Sequence, residues 1–178
     1  MIIINDITEK FSIGKIVTDK FGSLVKLNID GKEDLYIKSD TMECPYGFNK
    51  NGDNIIKILV SEKFYDIVKK LDNLAVDTVL KLKDKLLIQN SIEELYEPLI
   101  KNNFLECIIS NEMSVYDKEM NIVDITIDSN YKGKFTAKFL FKIDGIYIKN
   151  TMKYFIKLVV IQMRIINKSN LPEGCIIY

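Results

Sequence analysis

The sequence predicts a mainly β fold with one inserted helix (α+β), arranged as a small OB-fold-like antiparallel β-barrel. Three observations carry this. Residues 134–143 alternate: Phe135, Ala137, Phe139, Phe141 and Ile143 share one side, and Lys134, Thr136, Lys138, Leu140 and Lys142 the other. The turn dipeptides Asp30-Gly31, Asn51-Gly52 and Asp144-Gly145 recur between apolar runs, as in a chain of hairpins. One run of helical spacing, opened by Ser61, interrupts them. A β-sandwich with an inserted helix satisfies the same periods and is the alternative.

The elements follow in order. Residues 15–19 and 23–29 read as strands parted by Phe21-Gly22, and Asp30-Gly31 turns the chain into a strand at 35–38. That strand opens the stretch LYIKSDTMECPYGFNKNG (35–52), around which the chain is organised. Pro45 and Gly47 break the ladder, leaving Tyr46 and Phe48 on a loop, either tucked into the core or held out as a contact. A further strand is expected at 55–60.

Ser61 then caps a helix whose Phe64, Ile67, Val68 and Leu71 fall on one face, with Glu62 and Asp66 in its early turns. A break is expected near Asp72-Asn73, and residues 74–88 tolerate helix or strand. Ser91 and Glu94 form a capping-box pattern for a short helical turn ended by Pro98. Residues 106–120 are ambiguous, and 121–127 alternate as a strand. After 134–143, Asp144-Gly145 is read as a hairpin turn into 146–149, and 154–166 as one long strand, apolar on both sides at its middle and so central in the sheet.

Composition narrows the function. A chain of 178 residues, 47% hydrophobic and 28% charged, fits one globular domain, 1–178 with insertions. No apolar run reaches the ~18 residues of a membrane span and no signal-peptide pattern leads the first strand, so no membrane partner is expected. Cys44, Cys107 and Cys175 are scattered and the chain has no His, which points to a reducing, intracellular compartment and away from zinc. Without His, a phosphate-binding glycine loop or a nucleophile elbow, an enzyme is the weakest class, and no cofactor is expected. The acids Glu93, Glu94, Glu97, Asp124 and Asp128 read as solvated charges before metal ligands.

Net charge is zero but unevenly spread. Residues 91–130 carry two lysines against nine acids, and residues 131–168 carry eight lysines and Arg164 against Asp144 alone. Such blocks either attract each other within the fold or leave one face for a polyanion. Lys134, Lys138 and Lys142 recur at spacing four on one strand face, spanning ~26 Å, enough to follow several phosphates. Tyr131, Tyr147, Tyr154 and Phe155 are near enough in sequence to offer stacking surfaces. A solubilised outer face would show the same lysines.

Four short segments carry a resemblance: residues 37–48 with a strand, Lys-Ser, Met and Pro-aromatic-Gly, then LYEPLIK (95–101), IDGIYI (143–148) and YFIKLVVIQMR (154–164). In this order they resemble a family of large eukaryotic DNA viruses that is similar to phage-type single-stranded DNA-binding proteins with an OB-fold. The resemblance implies sequence-independent binding of single-stranded DNA in viral replication, repair or recombination inside the host cell, without catalysis. Viral replication proteins and a second copy of the chain are the further partners to expect. Phage-type members end in an acidic tail with a terminal aromatic. This chain ends LPEGCIIY, with Tyr178 but only Glu173 for charge.

On this reading Lys26, Lys38, Lys134, Lys138, Lys142 and Lys157 neutralise phosphates, while Tyr36, Tyr46, Phe48, Tyr147 and Tyr154 stack on bases. The competing reading is a non-catalytic, β-rich viral component that self-associates through its acidic and basic blocks.

Overall fold

The computed structural model describes residues 2–4, 10–48, 55–124 and 133–168. Within them the elements run β1 (Ile2–Ile4), β2 (Ser12–Thr18), β3 (Gly22–Asn28), β4 (Leu35–Cys44), β5 (Ile55–Leu59), α1 (Glu62–Leu82), α2 (Ile92–Leu95), β6 (Ile100–Lys101), β7 (Phe104–Tyr116), β8 (Phe135–Lys149) and β9 (Tyr154–Lys168). The Asn51-Gly52 turn, residues 125–127 of the strand expected at 121–127, Tyr131, Cys175 and the chain end lie outside the described residues, and of 121–124 only Ile122 pairs, in an isolated bridge with Tyr116.

Alternation decides the barrel. On β8, Phe135, Ala137, Phe139, Phe141 and Ile143 are buried, while Lys138 stays exposed on the other side. Their inward side chains meet those of β4, β5, β7 and β9, each fully buried Ile, Leu or Phe contributing roughly 1.5–3 kcal/mol. β4, β5, β7, β9 and β8 pair in that order, and β8 returns to β4, closing a ring. All the described strands join one sheet, so the sandwich alternative falls. The barrel is not wholly antiparallel as expected: β7 and β9 run parallel and make the closing seam. The topology is that of an OB-fold, with α1 between the second and third ring strands.

β8 is long enough to serve two partners. Its first part pairs with β4, from Phe135↔Cys44 to Ile143↔Leu35, and its last part pairs with β3, from Ile146↔Val25 to Lys149↔Gly22. The handover is at Asp144-Gly145, where the sequence reading expected a hairpin turn. The strand instead continues through a bulge in its pairing with β9. Gly145 sits at φ +139°, and a Cβ there would lie 2.4 Å from the Val25 carbonyl oxygen. Glycine is required by that close approach, not by a chain reversal. The reversal comes later, where the Lys149 N–H donates to the Lys153 carbonyl across Asn150–Met152. Asp30-Gly31 does turn, with both residues at positive φ between the paired Ile29 and Lys32. β3 and β4 then separate, each to its own part of β8.

The helix begins as its cap predicts, the Ser61 hydroxyl accepting from the Phe64 N–H at 3.2 Å. It does not break at Asp72. Phe64, Val68, Leu71, Ala75, Val79 and Leu82 form one buried stripe to its end. Asp72 is buried beside that stripe, where its carboxyl accepts from the Tyr96 hydroxyl and from the Leu99 N–H. A polar residue that looks like a helix breaker is thus a tie between α1 and the segment after α2. The capping box at Ser91 does not form, since its hydroxyl bonds the Glu93 carboxylate and leaves the helix N–H groups alone.

Candidate nucleic-acid interface

In an OB barrel, oligonucleotides are taken on the outer face of the second and third ring strands, between the loops that follow the first and fourth. Here those strands are β5 and β7, and the loops are the CPYGF segment after β4 and the Asn150–Lys153 reversal after β8. Alternation turns Ile56 and Ile58 inward, so Ile55, Lys57 and Leu59 face out. Register sets Ile55 against Ile108, Lys57 against Glu106 and Leu59 against Phe104. Ile55 is 41% exposed, and Leu59 and Ile108 are each 38% exposed. Tyr46, 62% exposed, leans from the loop over Phe104 with ring centres 5.7 Å apart. An apolar and aromatic strip is therefore left open where the fold takes ligands.

The strip continues onto β9 through Ile108↔Val159. A groove of about 320 Å³ opens there, lined among others by Ile55, Lys101, Ile108, Lys149, Phe155 and Lys157. Tyr147 and Phe155 pair at 5.8 Å, and the Lys149 ammonium lies 5.3 Å from the Phe155 ring centre. The bulge at Gly145 makes this possible, because it resets the alternation and brings Tyr147 and Lys149 to the outer side.

Except for Lys101, for which no ion pair is found among the described residues, the cations here are tied to carboxylates. Lys149 meets Glu97 at 2.6 Å, Lys157 meets Asp144 at 2.9 Å, Lys26 meets Asp144 at 2.6 Å and Lys57 meets Glu106 at 2.9 Å. Burial alone would raise the Asp144 pKa, but the bonds from Lys26 and Lys157 hold it below the usual carboxylate value. The bond from Lys149 lowers Glu97 in the same way. For Tyr147, desolvation and then the nearby Asp19 raise the hydroxyl pKa.

The residues expected from sequence separate into groups. Tyr46, Tyr147, Lys157 and, through Asp144, Lys26 come together on or beside this face. Lys38 and Lys138 lie elsewhere, in a second groove on β4, β8 and β9. Lys134 and Lys142 share the outer side with Lys138 but are paired, with Glu43 at 2.8 Å and Asp34 at 3.0 Å. Tyr36 is half-buried opposite Lys142. Phe48 packs on the core, stacked on Phe135 at 5.5 Å, beside Gly47 at φ +63°.

Tyr154 is a correction. It is fully buried, its ring against Tyr96 and its hydroxyl donating to the Ile92 carbonyl at 3.0 Å, so no base can reach it. It opens the inward row Tyr154, Ile156, Leu158, Val160. Ile108 was missed because it falls in the ambiguous stretch 106–120, and Phe104 because it lies just before that stretch, in no expected element. Asn102-Asn103, both at positive φ, is the turn signal that could have placed β7.

No protein-family model matches the sequence, and no curated protein matches it. Solved structures do match the fold. The single-stranded DNA-binding protein gp2.5 encoded by bacteriophage T7 superposes with a TM-score of 0.54 at 11% identity, over 80% of this chain and 97% of that one. The single-stranded DNA-binding protein from bacteriophage Enc34 superposes with a TM-score of 0.50 at 16% identity, over 95% of this chain and 97% of that one. The chain thus has the OB-like architecture found in these two phage proteins.

Proposed function

We propose that this chain binds single-stranded DNA without sequence preference and without catalysis, on the outer face of β5, β7 and β9. The observation that carries the reading is the open strip of Tyr46, Phe104, Ile55, Ile108 and Phe155, interleaved with Lys57, Lys149 and Lys157. Stacking on aromatic faces suits every base, which is why such a strip needs no sequence. The two phage neighbours are single-stranded DNA-binding proteins, which supports the same reading. No group of three or more potential metal ligands occurs among the described residues, and no helix of theirs is long and apolar enough to cross a membrane.

The setting we propose is viral DNA replication, repair or recombination inside a host cell, with viral replication proteins as further partners. Placement in the family of large eukaryotic DNA viruses rests on the four sequence segments. An electrophoretic titration with single-stranded DNA, duplex DNA and RNA tests the function. A shift of single-stranded DNA at low salt is expected, and no shift of any oligonucleotide overturns it.

The alternative of a self-associating structural protein has one observation in its favour. The edge strand β2 leaves Ile13, Ile16 and Val17 exposed, beside Phe21 at 63%. Sedimentation over a range of concentrations separates the two: the structural reading requires assembly without DNA. A homodimer that also binds DNA fits the first reading.

A further inference from the structure

The second groove, about 420 Å³, lies over the β4–β8–β9 part of the ring and shares no lining residue with the first. Its rim carries Lys38, Lys138 and Arg164, its apolar walls include Ile3, Met120 and Leu140, and no carboxylate among the described residues lines it. β4 bulges there: Lys38 pairs with Leu140, and the next partners are Thr41 and Lys138. The Ser39 hydroxyl fills the gap, accepting from the Phe139 N–H at 2.8 Å and donating to the Asp40 carbonyl at 2.6 Å. The carboxylate nearest in sequence, Asp40, accepts from the Ser61 hydroxyl at the start of α1. Lys38 and Lys138 thus have no ion-pair partner among the described residues, unlike Lys26, Lys149 and Lys157 around the first groove.

Arg164 is set beside Lys138 by register. Its guanidinium donates to the Lys118 carbonyl at 2.6 Å, and its Nε is buried without an acceptor among the described residues. Drawing this group toward an anion in the groove therefore gives up one hydrogen bond, and the new bonds to the anion replace it.

We infer that this groove is a second phosphate-binding site, which holds the backbone of the same DNA strand after it leaves the β5–β7–β9 face. This rests on the proposed DNA-binding reading. β9 joins the two sites: Lys157 borders the first and Arg164 the second, ~23 Å along the strand. A few nucleotides of extended strand cover that distance. Three like charges held together without counter-charges repel one another, and backbone phosphates relieve this. The apolar walls give the intervening sugars and bases a dry surface.

Length dependence tests the inference. Oligothymidylates of about 6 and about 16 nucleotides fall within the range that one OB-fold covers. Fluorescence anisotropy of both is followed for the native chain and for the triple variant Lys38→Gln, Lys138→Gln, Arg164→Gln. The longer strand should lose about tenfold or more in affinity, with its log K against log salt flattened by about 2, at ~0.7 per phosphate contact. The shorter strand should change by less than about twofold. The double variant Lys38→Gln, Lys138→Gln, which leaves Arg164 bonded to Lys118, should flatten the longer strand's slope by about 1.4. An unchanged longer strand, or equal losses at both lengths, overturns the second site and leaves the first standing. Failure of the native chain to bind either strand overturns the DNA-binding reading itself, and the second site with it.

Discussion

The two grooves are built from the same barrel wall, yet they hold their cations differently. Around the first, Lys149, Lys157, Lys26 and Lys57 each have a carboxylate within 3 Å. In the second, among the described residues, Lys38 and Lys138 have none and no acid lines the walls. Lys101 apart, the first groove's lysines are thus neutralised, and most of its attraction must come from Phe155, Tyr147 and the apolar strip. The second offers charge with no aromatic platform beyond the buried Phe139. Affinity and salt dependence should accordingly map to different places on the molecule.

The largest expected effect is at Tyr154, at the head of β9. Tyr154→Ala removes a buried ring and the hydroxyl bond to Ile92, and should cost about 3–5 kcal/mol of stability in a denaturant titration. Tyr154→Phe removes only the bond, at about 1–3 kcal/mol, and should leave DNA affinity per folded molecule unchanged. A stacking role for Tyr154 would show the reverse. Phe155→Ala comes next. It should weaken binding of a short strand by about 1–3 kcal/mol while the salt slope stays put. If the slope falls with the affinity, the two grooves do not divide the work as described.

A smaller effect of opposite sign is expected at Asp144. Its folded pKa lies below the unfolded value, so its contribution to stability is present above about pH 4 and is lost as pH falls through the folded pKa. Asp144→Asn removes that contribution at neutral pH and frees Lys26 and Lys157. Stability should drop by about 1 kcal/mol and lose Asp144's share of its acid-limb dependence, while the salt slope for DNA steepens by about 0.7–1.4. An unchanged slope would mean that neither lysine meets a phosphate.

How much of this could be read from the residues follows from where each signal is local. The faces of β8 were legible because one side is wholly buried and the period is two. The start of α1 was legible because Ser61 caps it within four residues. Asp72 was misread because its partners, Tyr96 and Leu99, lie in a later segment. Gly145 was misread because Asp-Gly usually reports a turn, whereas here the constraint is the Val25 backbone across the sheet. Tyr154 stands at the head of a strand apolar on both sides, where period alone cannot choose the inner face. The lysine row was visible, but its neutralisation was not, since Lys134–Glu43 and Lys142–Asp34 depend on cross-strand register.

The claim that DNA lies across β5, β7 and β9 is tested most directly by amide chemical-shift mapping, with an oligothymidylate of about 6 nucleotides added at low salt. The account predicts that the amides of Ile55–Leu59, of 104–108 and of 155–159 shift together, while those of β2 and the outer turns of α1 stay in place. Shifts confined to β2 or α1, or none on β5 and β7, would contradict it.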